Sequence, residues 1–251
     1  MSITLTAWKE KIRRKELYII SVIGMLLLLL FGTGTGSLAI DGVPLTEYHM
    51  LAPVLLVVVN AISCMLAVVM SLSTIPNEYE RKTSHLIWMR GISQARYHGE
   101  LAMANVLTSL AAEGMLFIAF FIFQIINGRT GDIGRLIAAY GIVGINVMVV
   151  SLMTSALSIC APKFVTGIIA TFVSFCGIFY TPLGTLKDMI GGFGGELMKY
   201  ILKCIPNLHD IQSQAGNILL GKTINIHQIF VGLLAGYVCV VAICMMKKKE
   251  A

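Results

Sequence analysis

Six apolar runs, each about as long as a bilayer is thick, limit what this chain can fold into. They occupy residues 17–37, 50–75, 101–126, 136–160, 164–183 and 226–246, more than half of the 251 residues. A helix needs ~20 mostly apolar residues to cross ~30 Å of hydrocarbon. Backbone N–H and C=O groups have no water to bond there, so such runs fold as helices. The expectation is an all-α membrane protein, one domain over 1–251 with six spans. Nothing left over is large enough for an ordinary soluble domain.

The charges fit this reading. Glu113, near the middle of the third run, is the one Asp, Glu, Lys or Arg inside the six. With the N-terminus in the cytoplasm, thirteen Lys and Arg fall inside and six outside, the asymmetry that orients spans. Both termini are then cytoplasmic. The net charge of +6 is accounted for by topology, so nucleic acid is not an expected partner; the lipid bilayer is. Residues 1–16 read as a helix lying at the cytoplasmic interface, with Leu5, Trp8 and Ile12 against Lys9, Arg13 and Arg14. They are not expected to be a cleaved leader. Between spans 5 and 6, residues 184–225 carry two helical patterns. One runs Leu186, Met189, Ile190, Phe193, Leu197, Tyr200, Ile201 and Ile205 and stops at Pro206; the other is Ile211, Ala215, Ile218 and Leu219. Two short amphipathic helices at the outer leaflet follow. No repeat relates spans 1–3 to 4–6, which counts against an inverted-repeat transporter.

Several motifs bear on function. Gly216 to Thr223 spells G-x-x-x-x-G-K-T, but a phosphate loop needs a strand before it and an α/β domain around it. The chain is therefore not expected to hydrolyse ATP, and it is not expected to be an enzyme. A mid-membrane acid must face protein or water. Glu113 could serve a proton relay or a cationic substrate, or only tie helices together, with Asn60, Asn105 and Asn146 as candidate partners. Gly232 and Gly236 form a small-xxx-small face for close helix packing. The five histidines and six cysteines show no ligand-like spacing, so neither a metal site nor a disulfide framework is expected.

The polar insert NEYERKTSHLIWMRGISQARYHGE at 77–100 interrupts the apolar pattern. It falls in the cytoplasm by the charge count. Thr83 and Ser84 can cap a short helix through Leu86, Ile87, Trp88 and Met89, with Gly91 as its stop. Ser93 can start the helix that climbs into span 3. The insert is then either an interfacial hairpin resting on headgroups or a knob for a soluble partner. In the latter case Trp88 and Met89 are the anchors, with Arg90 and other charges as the rim.

These residues carry a resemblance. Glu80-Arg81-Lys82-Thr83, then Leu86-Ile87-Trp88-Met89, then Ile92-Ser93-Gln94-Ala95-Arg96-Tyr97 is similar to the cytoplasmic segment of type-2 ABC transporter permeases: acidic-x-Gly-Thr, an apolar stretch, and a Ser-Arg step. Lys82 stands where glycine is usual and Glu100 where lysine is common. The motif covers about 20 residues; the layout covers nearly the whole chain. The resemblance implies a coupling helix at about Thr83–Met89 that fits a cleft in a separate soluble ATPase. Glu80, Thr83, Leu86, Trp88, Met89, Arg90 and Arg96 would form the ATPase-coupling set. It also implies a second permease copy or sister permease, with ATP and Mg held by the ATPase and no cofactor in this chain. The setting would be a bacterial cytoplasmic membrane, and the activity export of a peptide such as a bacteriocin, an antibiotic or a lipid-like substrate. Such export would serve immunity or resistance. Two other classes use the same residues differently: a secondary transporter or channel working through Glu113, and a non-transporting membrane scaffold.

Overall fold

The structure is a computed structural model and describes residues 3–13, 15–32, 39–40, 43–44, 48–82, 89–128, 130–190 and 192–247. It is helical apart from a two-residue antiparallel ladder, Ala39–Ile40 against Val43–Pro44. The helices are α1 Ile3–Ile12, α2 Lys15–Gly32, α3 Tyr48–Leu72, α4 Thr74–Glu80, α5 Gln94–Ile126, α6 Ile133–Cys160, α7 Lys163–Ile178, α8 Tyr180–Ile190, α9 Gly192–Cys204, α10 Leu208–Leu219 and α11 Ile226–Met245.

Among the described residues, four helices are long and apolar enough to cross a membrane: Tyr48–Glu80, which joins α3 and α4, then α5, α6 and α11. The α7–α8 pair makes a fifth if its 80° bend is counted within one span. The unbroken span expected at 164–183 is therefore absent. Here α7 ends at Ile178 and the chain turns at Phe179. The bend brings α10 under the end of α7. A Cβ at Gly177 would lie 2.7 Å from the Pro206 carbonyl oxygen, so only glycine lets the two backbones approach this closely. The turn between α6 and α7 is tight, with Pro162 as the N-cap of α7.

The helix α6 is the centre of the bundle. It packs against α3, α4, α5, α7, α10 and α11, while α5 also meets α1, α2 and α11. The core has three clusters. One gathers Leu55, Leu116, Phe120, Phe123, Leu136 and Ile211; a second centres on Ala67, Val147, Val150 and Leu208; a third holds Ile75, Tyr97, Leu101, Leu152 and Ile243. One stripe of α6 is polar: Ser151, Thr154, Ser155 and Ser158 are all fully buried. Thr154 and Ser155 donate back to the Val150 and Ser151 carbonyls at 2.8 Å each, and Ser71 of α3 meets Ser151 at 2.9 Å. Small hydroxyls satisfied within their own helix allow close packing with no orphaned polar groups.

Gly232 and Gly236 of α11 lie against helices of this chain. A Cβ at Gly232 would come 2.5 Å from Ile211 Cδ1 of α10, and one at Gly236 would come 3.0 Å from Met148 Cε of α6. The expected two outer helices are three. The first pattern breaks around residue 191 into α8 and α9, and Gly192 has φ +56°. Phe193, Leu197 and Tyr200 on α9 are exposed. The second pattern is α10, whose Leu208, Ile211, Ala215 and Leu219 are buried in the bundle.

Candidate functional site

The polar insert is shorter than the sequence suggests. Helix α4 runs through Glu78 and stops at Glu80, and α5 begins at Gln94, so helix occupies both ends of 77–100. Glu78 and Glu80 thus belong to the end of α4. Thr83, Leu86 and Trp88 lie outside the described residues. Met89 and Arg90 are in a turn, with Met89 84% exposed, so the expected helix does not extend through them. Gly91 has φ +73°, and Ser93 caps α5 by accepting from the Arg96 amide at 3.4 Å. Lys82, just after α4, has φ +56°.

The two legs of the insert are tied together side by side. Tyr97 Oη donates to Glu78 Oε2 at 2.9 Å, and Tyr79 Oη pairs with His98 Nε2 at 2.7 Å. Glu80 meets Lys163 Nζ at 2.7 Å, which links the end of α4 to the α6–α7 turn. Both side chains of that pair are solvated, so its contribution to stability is small.

Helix α1 is gripped near both ends. Glu100 Oε2 accepts from the Ile3 and Thr4 amides at 2.8 and 3.3 Å, while Glu100 Oε1 accepts from Arg96 Nε at 3.1 Å. The first amides of a helix have no partner of their own, and a carboxylate there suits the positive end of the dipole. At the other end Lys11 is only 6% exposed. Its Nζ donates to the Met70 carbonyl at 2.7 Å and to Asn105 Oδ1. Thr74 Oγ1 donates to the same Oδ1 at 2.7 Å, and Asn105 Nδ2 donates to Ser155 Oγ at 2.7 Å. Lys11 is therefore inserted into the junction of α3, α4, α5 and α6. The sequence does not show which neighbours Lys11 meets. Glu100, by contrast, is visible as the acid at the head of span 3.

Glu113 is fully buried on α5, and neither carboxyl oxygen has a hydrogen-bond partner among the described residues. Its expected partners are engaged elsewhere. Asn105 belongs to the Lys11 cluster, roughly two helical turns away. Asn60 Nδ2 donates to Gln212 Oε1 at 2.9 Å, while Asn146 Nδ2 donates to Asn60 Oδ1 at 3.3 Å and to the Leu208 carbonyl at 2.9 Å. The asparagines thus hold α10 to α3 and α6. Space for the Glu113 carboxyl comes from Gly144 of α6, where a Cβ would lie 3.4 Å from Oε2. An ionised carboxylate without partners here would carry a desolvation cost of several kcal/mol.

The G-x-x-x-x-G-K-T match begins inside α10, and helix precedes it where a phosphate loop needs a strand. No protein-family model matches the sequence, and no curated protein matches it.

Proposed function

We propose that the chain is the transmembrane subunit of an ATP-binding-cassette exporter, with a separate ATPase docking on the segment between α4 and α5. The observation that carries this is the backbone at Lys82. The motif resembled here has glycine at that position, and residue 82 adopts φ +56°, a conformation that favours glycine. The lysine departs from the pattern in side chain while adopting a backbone conformation that suits glycine. On this reading α2, 18 residues long and packed on α5, is the first of six spans. The bent α7–α8 pair is the fifth. The pairing of Glu78 with Tyr97 and of Tyr79 with His98 supports the same reading, because a push on the insert reaches α4 and α5 together. The substrate pathway would lie between two permeases, with export of a peptide, antibiotic or lipid-like molecule in a bacterial cytoplasmic membrane.

The test is purification in mild detergent from cells with the native gene neighbourhood, followed by mass spectrometry and an ATPase assay. A soluble ATPase should be recovered in about equal amount. Its hydrolysis should lose stimulation by the membrane subunit in a Trp88→Ala, Arg90→Ala variant. Normal assembly, ATPase stimulation and transport in that variant would overturn the coupling assignment. The unpartnered Glu113 favours a second reading, a secondary transporter driven by ion or proton movement. In that case Glu113→Gln abolishes transport and the Trp88/Arg90 variant has no effect.

A further inference from the structure

Glu113 is neighbour to a groove whose chemistry complements it. The groove, about 380 Å³, runs along the seam of α5 and α6 and is lined by Gly114, Phe117, Ile118, Phe121, Leu136 and Tyr140 among others. That volume suits a small apolar body. Tyr140 lines it, bonded to the stretch of α5 that carries the acid. The tyrosine ring packs edge-on against Phe117 at 5.1 Å, and its hydroxyl donates to the Leu110 carbonyl at 3.0 Å. The side chain therefore spans the turns of α5 that carry Glu113 and Gly114. Two glycines lie beside these groups. A Cβ at Gly114 would lie 3.5 Å from Tyr140 Oη, and one at Gly144 would lie 3.4 Å from the Glu113 carboxyl. A single hydrogen bond to a backbone carbonyl holds the tyrosine across the gap.

We infer that this junction binds a lipophilic cation, its apolar body in the α5–α6 groove and its positive group drawn to the unpartnered Glu113 carboxyl past a displaced Tyr140. Charge complementarity selects the ligand class. A buried acid without a partner gains most from a cation that brings little hydration with it, and Phe117 and Phe121 line the groove with aromatic surface for its apolar body. As a statement about what is exported, the assignment rests on the exporter reading. As a binding site it requires this chain alone.

The experiment is equilibrium dialysis of tetraphenylphosphonium against the purified full chain in detergent, with no ATPase present. Tetraphenylborate, of the same shape and opposite charge, is run in parallel. Saturable binding of the phosphonium is expected, weakened at least tenfold in Glu113→Gln and in Gly114→Leu. Tetraphenylborate should show no loss in Glu113→Gln. Tyr140→Ala, which keeps the acid and removes the bar, should bind the phosphonium several-fold tighter, and it serves as the test should either other variant fail to fold. Absence of saturable phosphonium binding by the unaltered chain, unchanged affinity in a folded Glu113→Gln, or unchanged affinity in Tyr140→Ala would each overturn the site. The ATPase recovery experiment is indifferent to all three results, so the site and the exporter reading fail separately.

Discussion

Lys82 holds a left-handed backbone at φ +56°, a region that disfavours any residue with a Cβ by roughly 1–2 kcal/mol. Lys82→Gly is expected to leave the thermal unfolding midpoint in detergent unchanged or slightly raised. Lys82→Val, β-branched, is expected to cost about 1 kcal/mol or more. Equal midpoints for the two variants would show that this turn is not left-handed in solution. Two glycines set up a sharper comparison. At Gly177 the obstacle to a Cβ is a backbone oxygen, Pro206 O at 2.7 Å; at Gly232 it is the tip of a side chain, Ile211 Cδ1 at 2.5 Å. A rotamer can move and a carbonyl in a packed turn cannot. Gly177→Ala is therefore expected to destabilise by about 1–3 kcal/mol. Gly232→Ala should cost less and be largely restored by Ile211→Val. If Gly232→Ala is the more damaging, or Ile211→Val restores nothing, the α10–α11 contact is wrong. Distance in space and severity run in opposite order here, because what yields matters more than how close it lies.

Helix α1 shows what the sequence could and could not reveal at the scale of elements. Its existence and its basic, amphipathic character were legible from Leu5, Trp8 and Ile12 set against the lysines and arginines. Its attachment was not, because the neighbours that Lys11 meets come from α3, α4, α5 and α6 and are set by the fold. Long apolar runs announced α3, α5, α6 and α11 for the same reason that they insert: hydrocarbon tolerates no unpaired backbone. The 80° break after Ile178 was hidden because apolar content reads the same in a straight helix and a bent pair. Glu113 was legible as an exception to composition, but its partners depended on which face of α3 and α6 turns toward α5. The grip on α1 has a direct test. In Lys11→Met and in Glu100→Ala, amide hydrogen exchange across α1 should speed up at least tenfold while α5 stays protected. Unaltered protection in both variants would mean that apolar packing alone holds the helix. Lys11→Met is further expected to cost about 1–3 kcal/mol, since the Asn105 and Met70 oxygens lose a charged donor.

The whole molecule is a bundle around one central helix, with apolar faces of α7 and α11 turned outward. Phe164, Ile168 and Phe172 on α7, and Phe230, Leu234 and Tyr237 on α11, are all exposed, as suits surfaces that meet lipid. Crossing of the membrane by α5 is open to a direct check. Met89 and Asn127 flank it and are exposed. In a cysteine-free background, Met89→Cys and Asn127→Cys should react with a membrane-impermeant thiol reagent from opposite faces of sealed vesicles. Reaction of both from one face would mean that this 33-residue helix does not span. The seating of α10 also says something about how the protein is made. Its twelve residues, ~18 Å of helix, are too short to be threaded across as a span. They lie against α6, far upstream in the chain, and receive Gly232 of α11 onto Ile211. Helices that insert one after another assemble laterally only once they are in the bilayer. The contact between α10 and α11 therefore forms only after α11 has inserted, against an α6 that entered the bilayer earlier.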